Sequence, residues 1–537
     1  MMLRITHYKK LLGLLVCLPL AVLFAIVSLL IISPKPALHD GLSYSTAICD
    51  RNGNLLRLTL SQDDKYRLWI PLKDVSPKMI ESTLLYEDQY FYWHCGINPF
   101  SLFRAIWKTY LTGGQPAGAS TITMQLVRIR FKLATRSVSG KFKQIFKALQ
   151  LEWYYTKNEI LEAYFNLAPY GGNIEGVGAA SEVYFQKQAK KLTLAESLLL
   201  TVIPQSPSQR SPHRRNIQST VLVSVRSQLW GRWLRENPQH RSIAPEIELA
   251  RVMQQPNQLP FCAPHLTDAV IAERPLKSSM ITTVDSGIQN TLEHKINEYI
   301  ERNKAIGIRN AASLLVDWRS MEVLSLVGSA NFNNQEIQGQ VNGTRAKRSP
   351  GSTLKPFIYA LAFEQGIIHP MTMLKDAPSA FGELSPENCD RGFAGPIHAR
   401  EALTRSRNVP AVTIAAQLNN PTLYEFLKNT GITQLRSPDF YGLALVLGGA
   451  EMTMEELVTL YAALANRGVL KPLRFLMDDP AVNEGRRVLS PEVCWLVLDI
   501  LKDAPRPDQG YDRTWAMDPL PQAGKRAPPI RIEAHGA

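Results

Sequence analysis

The chain has 537 residues, of which 45% are hydrophobic and 20% charged. That length exceeds a single core and predicts two or three folded units with linkers, while the composition excludes a disordered chain. A formal charge of +13 at pH 7 predicts an anionic partner.

Leu11 to Ile32 contains no charged residue. As a helix it would be about 33 Å long, enough to cross a hydrocarbon core of about 30 Å. The run is longer than an ordinary signal core, and "SPKPALHDG" offers no small-x-small cleavage site. Arg4, Lys9 and Lys10 precede it, so the positive-inside rule keeps residues 1–10 cytoplasmic and everything after Ser33 outside. The expectation is a single-pass membrane anchor over 11–32. Outside the cytoplasm nucleic acid is excluded, so anionic lipid or a phosphate-bearing substrate is the expected partner. Six scattered cysteines without a CxxC pair form neither a disulfide framework nor a zinc site.

Residues 33–67 read as an extended linker with a hairpin around Asn52-Gly53. From Ser76 to about Glu236 the pattern is helical, with Pro77 opening one helix and capping boxes at Thr156/Glu159 and Thr193/Glu196. "LLYEDQYFYWHCGINP", Leu84 to Pro99, holds the densest chemistry. On a continuous helix Glu87, Phe91 and His94 share one face and Asp88 points aside. By itself this is a core-facing aromatic stripe with a surface acidic pair. A carboxylate against an aromatic ring would, alternatively, have a raised pKa suited to proton abstraction.

"GASTITMQLVRIRFK" and "SGKFKQIFKALQLEWYYTKNEILEAYFNLAPYGGNIEGVGAAS" follow. Between Arg128 and Lys143 lie six basic residues and no acidic one, ordinarily a solvated face but here beside small hydroxyl residues that suit a pyrophosphate. "GVGAAS" has the look of a dinucleotide loop but is expected to lack a preceding strand. Taken in order, these motifs from about Leu68 to Gln205 resemble glycosyltransferase family 51, the lysozyme-like domain of class A penicillin-binding proteins. The resemblance implies a mainly α domain over 68–236 that polymerises lipid II onto a growing glycan strand. Glu87 matches the catalytic base. Thr121, Gln125, Arg128 and Lys141 match positions that hold substrate and pyrophosphate, usually with a divalent metal, Mg or Mn. Asp88, Phe91 and His94 belong to the same substrate-binding motif. "KFKQ", Lys141 to Gln144, departs from the family's Lys-x-x-Glu, and Gln144 reads as a variant whose amide cannot bind metal as a carboxylate would.

Residues 237–300 read as a polar connection, and from about 301 the texture becomes α/β. "AASLLVDWRSMEVLSLVGS" predicts two strands, and Thr453 with Glu456 caps a later helix that ends at Gly468. In "RSPGSTLKPF" Pro356 forces a helix to begin near Ser352, because Pro fits only a first turn. Ser352 then sits at the positive helix end with Lys355 one turn on. Alone, this is an N-cap serine and a surface lysine. With "SRNVPAV" some fifty residues later, it resembles the penicillin-binding transpeptidase domain, β-lactamase-like in fold. That resemblance implies Ser352 as nucleophile, Lys355 as its base, Ser406 as proton relay and Asn408 as an amide-binding residue.

The family's Lys-Thr/Ser-Gly motif is not found before Ala537. The expectation is therefore a C-terminally truncated transpeptidase over 301–523, inactive, labelled by β-lactams weakly or not at all. Reading the codons of Ala523–Pro529 from the third base of Ala523 permits Trp-Lys-Thr-Gly-Thr-Ser, so a frameshift would leave 524–537 as an out-of-frame, disordered tail. Two other readings stand beside the anchored glycosyltransferase: a non-catalytic scaffold among cell-wall synthesis proteins, and a lysozyme-like hydrolase.

Overall fold

The computed structural model describes residues 24–25, 27–100, 120–135, 137–210, 220–243, 259–274, 277–382, 384–432, 435–481 and 484–502. They form two compact units. One comprises Met1–Cys49, Gly53–Phe261 and Pro275–Met280; the other comprises Asp50–Asn52, Cys262–Arg274 and Ile281–Ala537. Most of the predicted anchor lies outside the described residues. Among the described residues no helix is long and apolar enough to cross a membrane, although residues 27–32 are helical and Phe24, Leu29, Ile31 and Ile32 are exposed.

In the first unit the predicted hairpin forms from Ala47–Cys49 and Leu55–Leu58, paired antiparallel, with Ser279–Ile281 as third strand. A second small sheet sets Tyr66–Arg67 parallel to Ile174–Glu175, which pairs antiparallel with Pro169–Gly171. The rest is helical: Pro77–Glu87, Ile122–Arg130, Val138–Tyr154, Lys157–Leu167, Val177–Phe185, Leu194–Thr201 and Thr220–Glu236. Both predicted capping boxes are present, Thr156 with Glu159 and Thr193 with Glu196. Ser76 stands at its N-cap position, yet its hydroxyl donates to Leu192 O instead of capping.

Contrary to expectation, a strand does precede "GVGAAS", namely Ile174–Glu175. It is only two residues long, and the glycines serve packing. A Cβ on Gly176 would lie 2.6 Å from Asn166 O, and one on Gly178 would lie 2.7 Å from Leu68 O. The helix that follows, Val177–Phe185, is buried on nearly every side, which its mostly apolar and small residues permit; the buried Glu182 is the exception.

The second unit contains the predicted strand pair, Ser313–Val316 with Val323–Val327, packed against the helix Ser286–Asn303. That helix offers the pair Ile296, Ile300 and a buried Gln289. The Gln289 amide is fully used: it accepts from Ser325 Oγ and Leu326 N and donates to Leu326 O. Pro264–Glu273 lies inside the stretch read as a linker and Ser286–Asn303 lies mostly within it, but both are ordered helices. Their apolar positions were hidden between polar, Pro-containing segments. The remaining core surrounds Lys355–Glu364, whose residues 355–362 are all buried, with Asn408–Ala415 and Pro491–Leu501 among the helices supplying its neighbours. The helix capped by Thr453 and Glu456 runs Met454–Ala465, ending before Gly468. Residues 503–537, including the expected aberrant tail, lie outside the described residues.

Candidate functional site

The helix Pro77–Glu87 stops at Glu87. Asp88 leaves helical geometry, with φ −162° and ψ 75°, and a 3-10 turn follows at Phe91–Trp93. The single helical face expected for Glu87, Phe91 and His94 is therefore not formed, and Asp88 does not point aside. Its buried carboxylate accepts from Ile122 N at 3.0 Å and lies 3.0 Å from His94 Nε2. The competing force is capping: the first amide of the helix Ile122–Arg130 needs an acceptor, and Asp88 is delivered to it by its own break in the chain. His94 Nδ1 in turn accepts from Gly96 N. Phe91 is fully buried, with the Lys157 ammonium 4.4 Å from its ring centre.

Three residues predicted to hold substrate are thus occupied by the fold. Asp88 and His94 pin the loop, and Phe91 is core. Thr121 joins them. It caps Ile122–Arg130, accepting from Met124 N at 3.2 Å and donating to Gly96 O at 2.6 Å, and is 2% exposed.

What remains open to chemistry is Glu87 and a line of polar groups from the helices Ile122–Arg130 and Val138–Tyr154. Gln125 Nε2 donates to Glu87 Oε2 at 2.7 Å. Glu87 Oε1 is buried without a partner, the state of an acceptor awaiting a donor. Burial pushes the Glu87 carboxyl up, opposed first by the Gln125 hydrogen bond and then by Arg210 and Arg128. Arg128 is exposed. Arg130, two residues on in the same basic run, is spent on Leu38 O and Asp40 O.

Lys141 comes from the first turns of Val138–Tyr154, which Ser137 caps through Gly140 N. Its ammonium donates to Gln144 Oε1 at 2.9 Å and reaches Ser120 Oγ at 3.5 Å. Burial lowers its pKa, and Arg128 adds to that. Gln144 Nε2 donates to Met124 O at 2.6 Å and the residue is 2% exposed. Gln144 is therefore a strut between two helices and a seat for Lys141.

The family resemblance implies a divalent metal here. Among the described residues no group of three or more His, Cys, Asp or Glu could hold one. The Gln144 oxygen, moreover, already faces an ammonium. The Gln144 oxygen is therefore not free to hold a divalent cation beside Lys141. Gln144→Glu is expected to destabilise the unit by about 1–3 kcal/mol, because the buried Met124 carbonyl would lose its donor and face an anion. Chemical denaturation of the variant against the parent checks this; unchanged stability would mean that the strut is dispensable.

The second unit assembles its own cluster. Ser352 lies on a 3-10 turn, Gly351–Leu354, directly ahead of Lys355–Glu364, as Pro356 requires. Ser352 is exposed, and Lys355, only 1% exposed, donates to Ser406 Oγ at 3.0 Å, Ser406 O and Asn408 Oδ1. Burial, helped by the Arg407 charge, depresses the Lys355 pKa to about 8, so a neutral amine able to accept a proton is accessible near neutrality. Ser406 has φ +52°, a left-handed conformation that L side chains rarely adopt.

Sequence reasoning missed the groups that hold this segment. Buried Arg407 donates to Asp376 Oδ2 at 2.6 Å and to Asp390 Oδ2 at 2.7 Å. Asn388 accepts from Asn408 N and donates to Asp376 Oδ1. Burial works against the Asp376 carboxylate, but Ala394 N, Asn388 and Arg407 together hold its pKa below the usual range. Nothing local marks Asp376 or Asn388; Arg407 stood in view only as the middle residue of Ser-x-Asn.

Arg407→Met is expected to cost about 3–5 kcal/mol, because Asp376 would be left charged and buried. Arg405→Met, removing an exposed pair with Glu401, should cost no more than about 1 kcal/mol. Denaturant unfolding of both variants checks the contrast, and equal losses would refute it.

Comparison with known proteins matches the two clusters. Residues 52–227 match a family described as Transglycosylase, and residues 311–525 match the Penicillin binding protein transpeptidase domain. Penicillin-binding protein 1C of Escherichia coli K12 is 35% identical over 486 residues, covering 89% of this chain and 61% of that protein. Penicillin-binding protein 2D of Bacillus subtilis 168 is 31% identical, covering 79% and 62%. Penicillin-binding protein 1B of E. coli K12 is 30% identical, covering 79% and 52%. The chain thus spans about three fifths, or less, of the length of these relatives. With both domain families matched in this order, and with Glu87 and Ser352 each set in a matching domain, the chain belongs to the class A penicillin-binding proteins.

Proposed function

We propose that the first unit is a peptidoglycan glycosyltransferase that polymerises lipid II at the outer face of the inner membrane. The observation that carries this reading is Glu87: a buried carboxyl with one oxygen fixed by Gln125 and the other unpartnered, in the field of Arg128, which also acts on Lys141. Glu87 Oε1 takes the proton of the acceptor sugar's 4-hydroxyl. The freed oxygen attacks the donor's anomeric carbon with inversion, and the bond to the lipid pyrophosphate breaks. Negative charge gathering on that leaving group is met by Lys141, held on Gln144 before the reaction starts, and by the exposed Arg128.

In the second unit the cluster supports acyl transfer: Ser352 Oγ as nucleophile, neutral Lys355 as proton acceptor and Ser406 as relay. The experiment that tests the glycosyltransferase is addition of purified lipid II to the full chain, with products resolved by length. Long glycan supports it. No product favours a scaffold, and short fragments from preformed glycan favour a hydrolase.

A further inference from the structure

Lys141 is seated on a neutral group. Gln144 lies between an obligate donor and an obligate acceptor: its Oε1 accepts from the Lys141 ammonium at 2.9 Å, and its Nε2 donates to Met124 O at 2.6 Å. An amide satisfies both ends at once, whereas an ionised carboxylate has no hydrogen for the carbonyl. The two neighbours therefore fix which way the amide points, and the residue is buried.

The consequence is electrostatic. A glutamate in this seat, which the Lys-x-x-Glu pattern would supply, forms an ion pair with Lys141 and offsets its charge. Positive charge for a leaving pyrophosphate would then have to come from a bound cation. Gln144 offsets nothing. Burial and Arg128 lower the Lys141 pKa, the direction expected of an ammonium without a carboxylate beside it.

The nearby oxygens are also poorly placed to hold a divalent metal. Residues 89–151 contain nine Lys or Arg and no Asp or Glu. The acids flanking that stretch are engaged. Asp88 accepts from Ile122 N and lies 3.0 Å from His94 Nε2. Glu152 accepts from Thr123 Oγ1 at 2.6 Å and from Lys157 Nζ at 2.8 Å. Thr121 Oγ1 is spent on Gly96 O and Met124 N. Magnesium is ordinarily held by one or two carboxylates together with substrate phosphates. Glu87 Oε1 is the unpartnered carboxylate oxygen here, and a cation on it would occupy the atom assigned to take the proton.

We propose that this glycosyltransferase unit needs no divalent metal: Gln144 leaves the Lys141 charge uncompensated, and that fixed ammonium stands where a cation would otherwise meet the departing pyrophosphate. The proposal rests on the glycosyltransferase reading of the first unit.

The test is the initial rate of lipid II polymerisation by the full chain, in excess EDTA and with added Mn²⁺, for the parent and Gln144→Glu. Mn²⁺ binding without lipid II is followed in parallel by electron paramagnetic resonance. The parent is expected to polymerise equally fast in chelator and in metal, and to leave Mn²⁺ free. Gln144→Glu is expected to lose about 10²-fold in chelator, the scale of one preorganised group lost, and to recover activity with Mn²⁺. A parent that stops in EDTA and restarts with Mn²⁺ overturns the proposal, and that result is decisive even where Gln144→Glu fails to fold. A folded Gln144→Glu as fast as the parent in chelator overturns it too, since the neutral seat would then not matter. If the parent makes no glycan under any condition, the glycosyltransferase reading falls first. The resonance titration then judges the seat alone: Mn²⁺ bound stoichiometrically by the parent and lost in Glu87→Gln would refute the inference, and free Mn²⁺ would uphold it.

Discussion

Glu87→Gln should abolish lipid II polymerisation while the thermal midpoint stays at or above the parent's. The substitution keeps the volume and leaves an oxygen for Gln125 Nε2, which now bonds Glu87 Oε2 at 2.7 Å. It removes the carboxylate proposed to accept the acceptor's proton, and general-base catalysis is worth about 10²–10⁴-fold. Stability is not expected to fall, since burial raises the Glu87 pKa and an amide escapes that desolvation cost. The sign of the pH dependence follows. As the proposed base Glu87 must work as the anion, so the parent rate should fall as pH drops through a pKa lying above the ordinary carboxylate value. Glycan length on gels and a melting curve give both readouts. A variant polymerising near the parent rate would remove Glu87 from the mechanism.

Lys141→Ala is the second large effect, expected at about 10²–10³-fold in kcat, the scale of losing one preorganised group that meets transition-state charge. The ammonium is held by Gln144 Oε1 and half-buried, where its field is less screened than that of the exposed Arg128. Charge on the pyrophosphate grows as the glycosidic bond breaks, so the loss belongs in kcat more than in KM. Gln144 keeps its bond to Met124 O in the variant, and the helix pair should survive. Lys141→Arg should recover only part of the rate, because a planar fork does not fit a seat shaped for a compact ammonium. A KM-only effect would place Lys141 on the substrate's ground state instead of on the departing phosphate.

The sequence by itself determined what depends on neighbours a few residues apart. The capping boxes at Thr156, Thr193 and Thr453 form as read, because each box closes between residues three apart. Pro356 fixes the start of the Ser352 turn for the same local reason, and the strand pair 313–327 follows from alternation. The motifs locate Glu87 and Lys355, and the structure gives both the burial that shifts their pKa values.

Only tertiary structure decided which polar residues are free. Asp88, Phe91, His94 and Thr121 match a binding pattern in sequence, but each is consumed by a helix start or the core. The helix ends at Glu87, and the pull on Asp88 comes from Ile122, 34 residues away. Arg210 meets Tyr86 across 124 residues, and Arg407 meets Asp376 across 31. A buried donor or acceptor must find a partner wherever the packed chain supplies one. That requirement is not periodic, so no spacing in the sequence announces it.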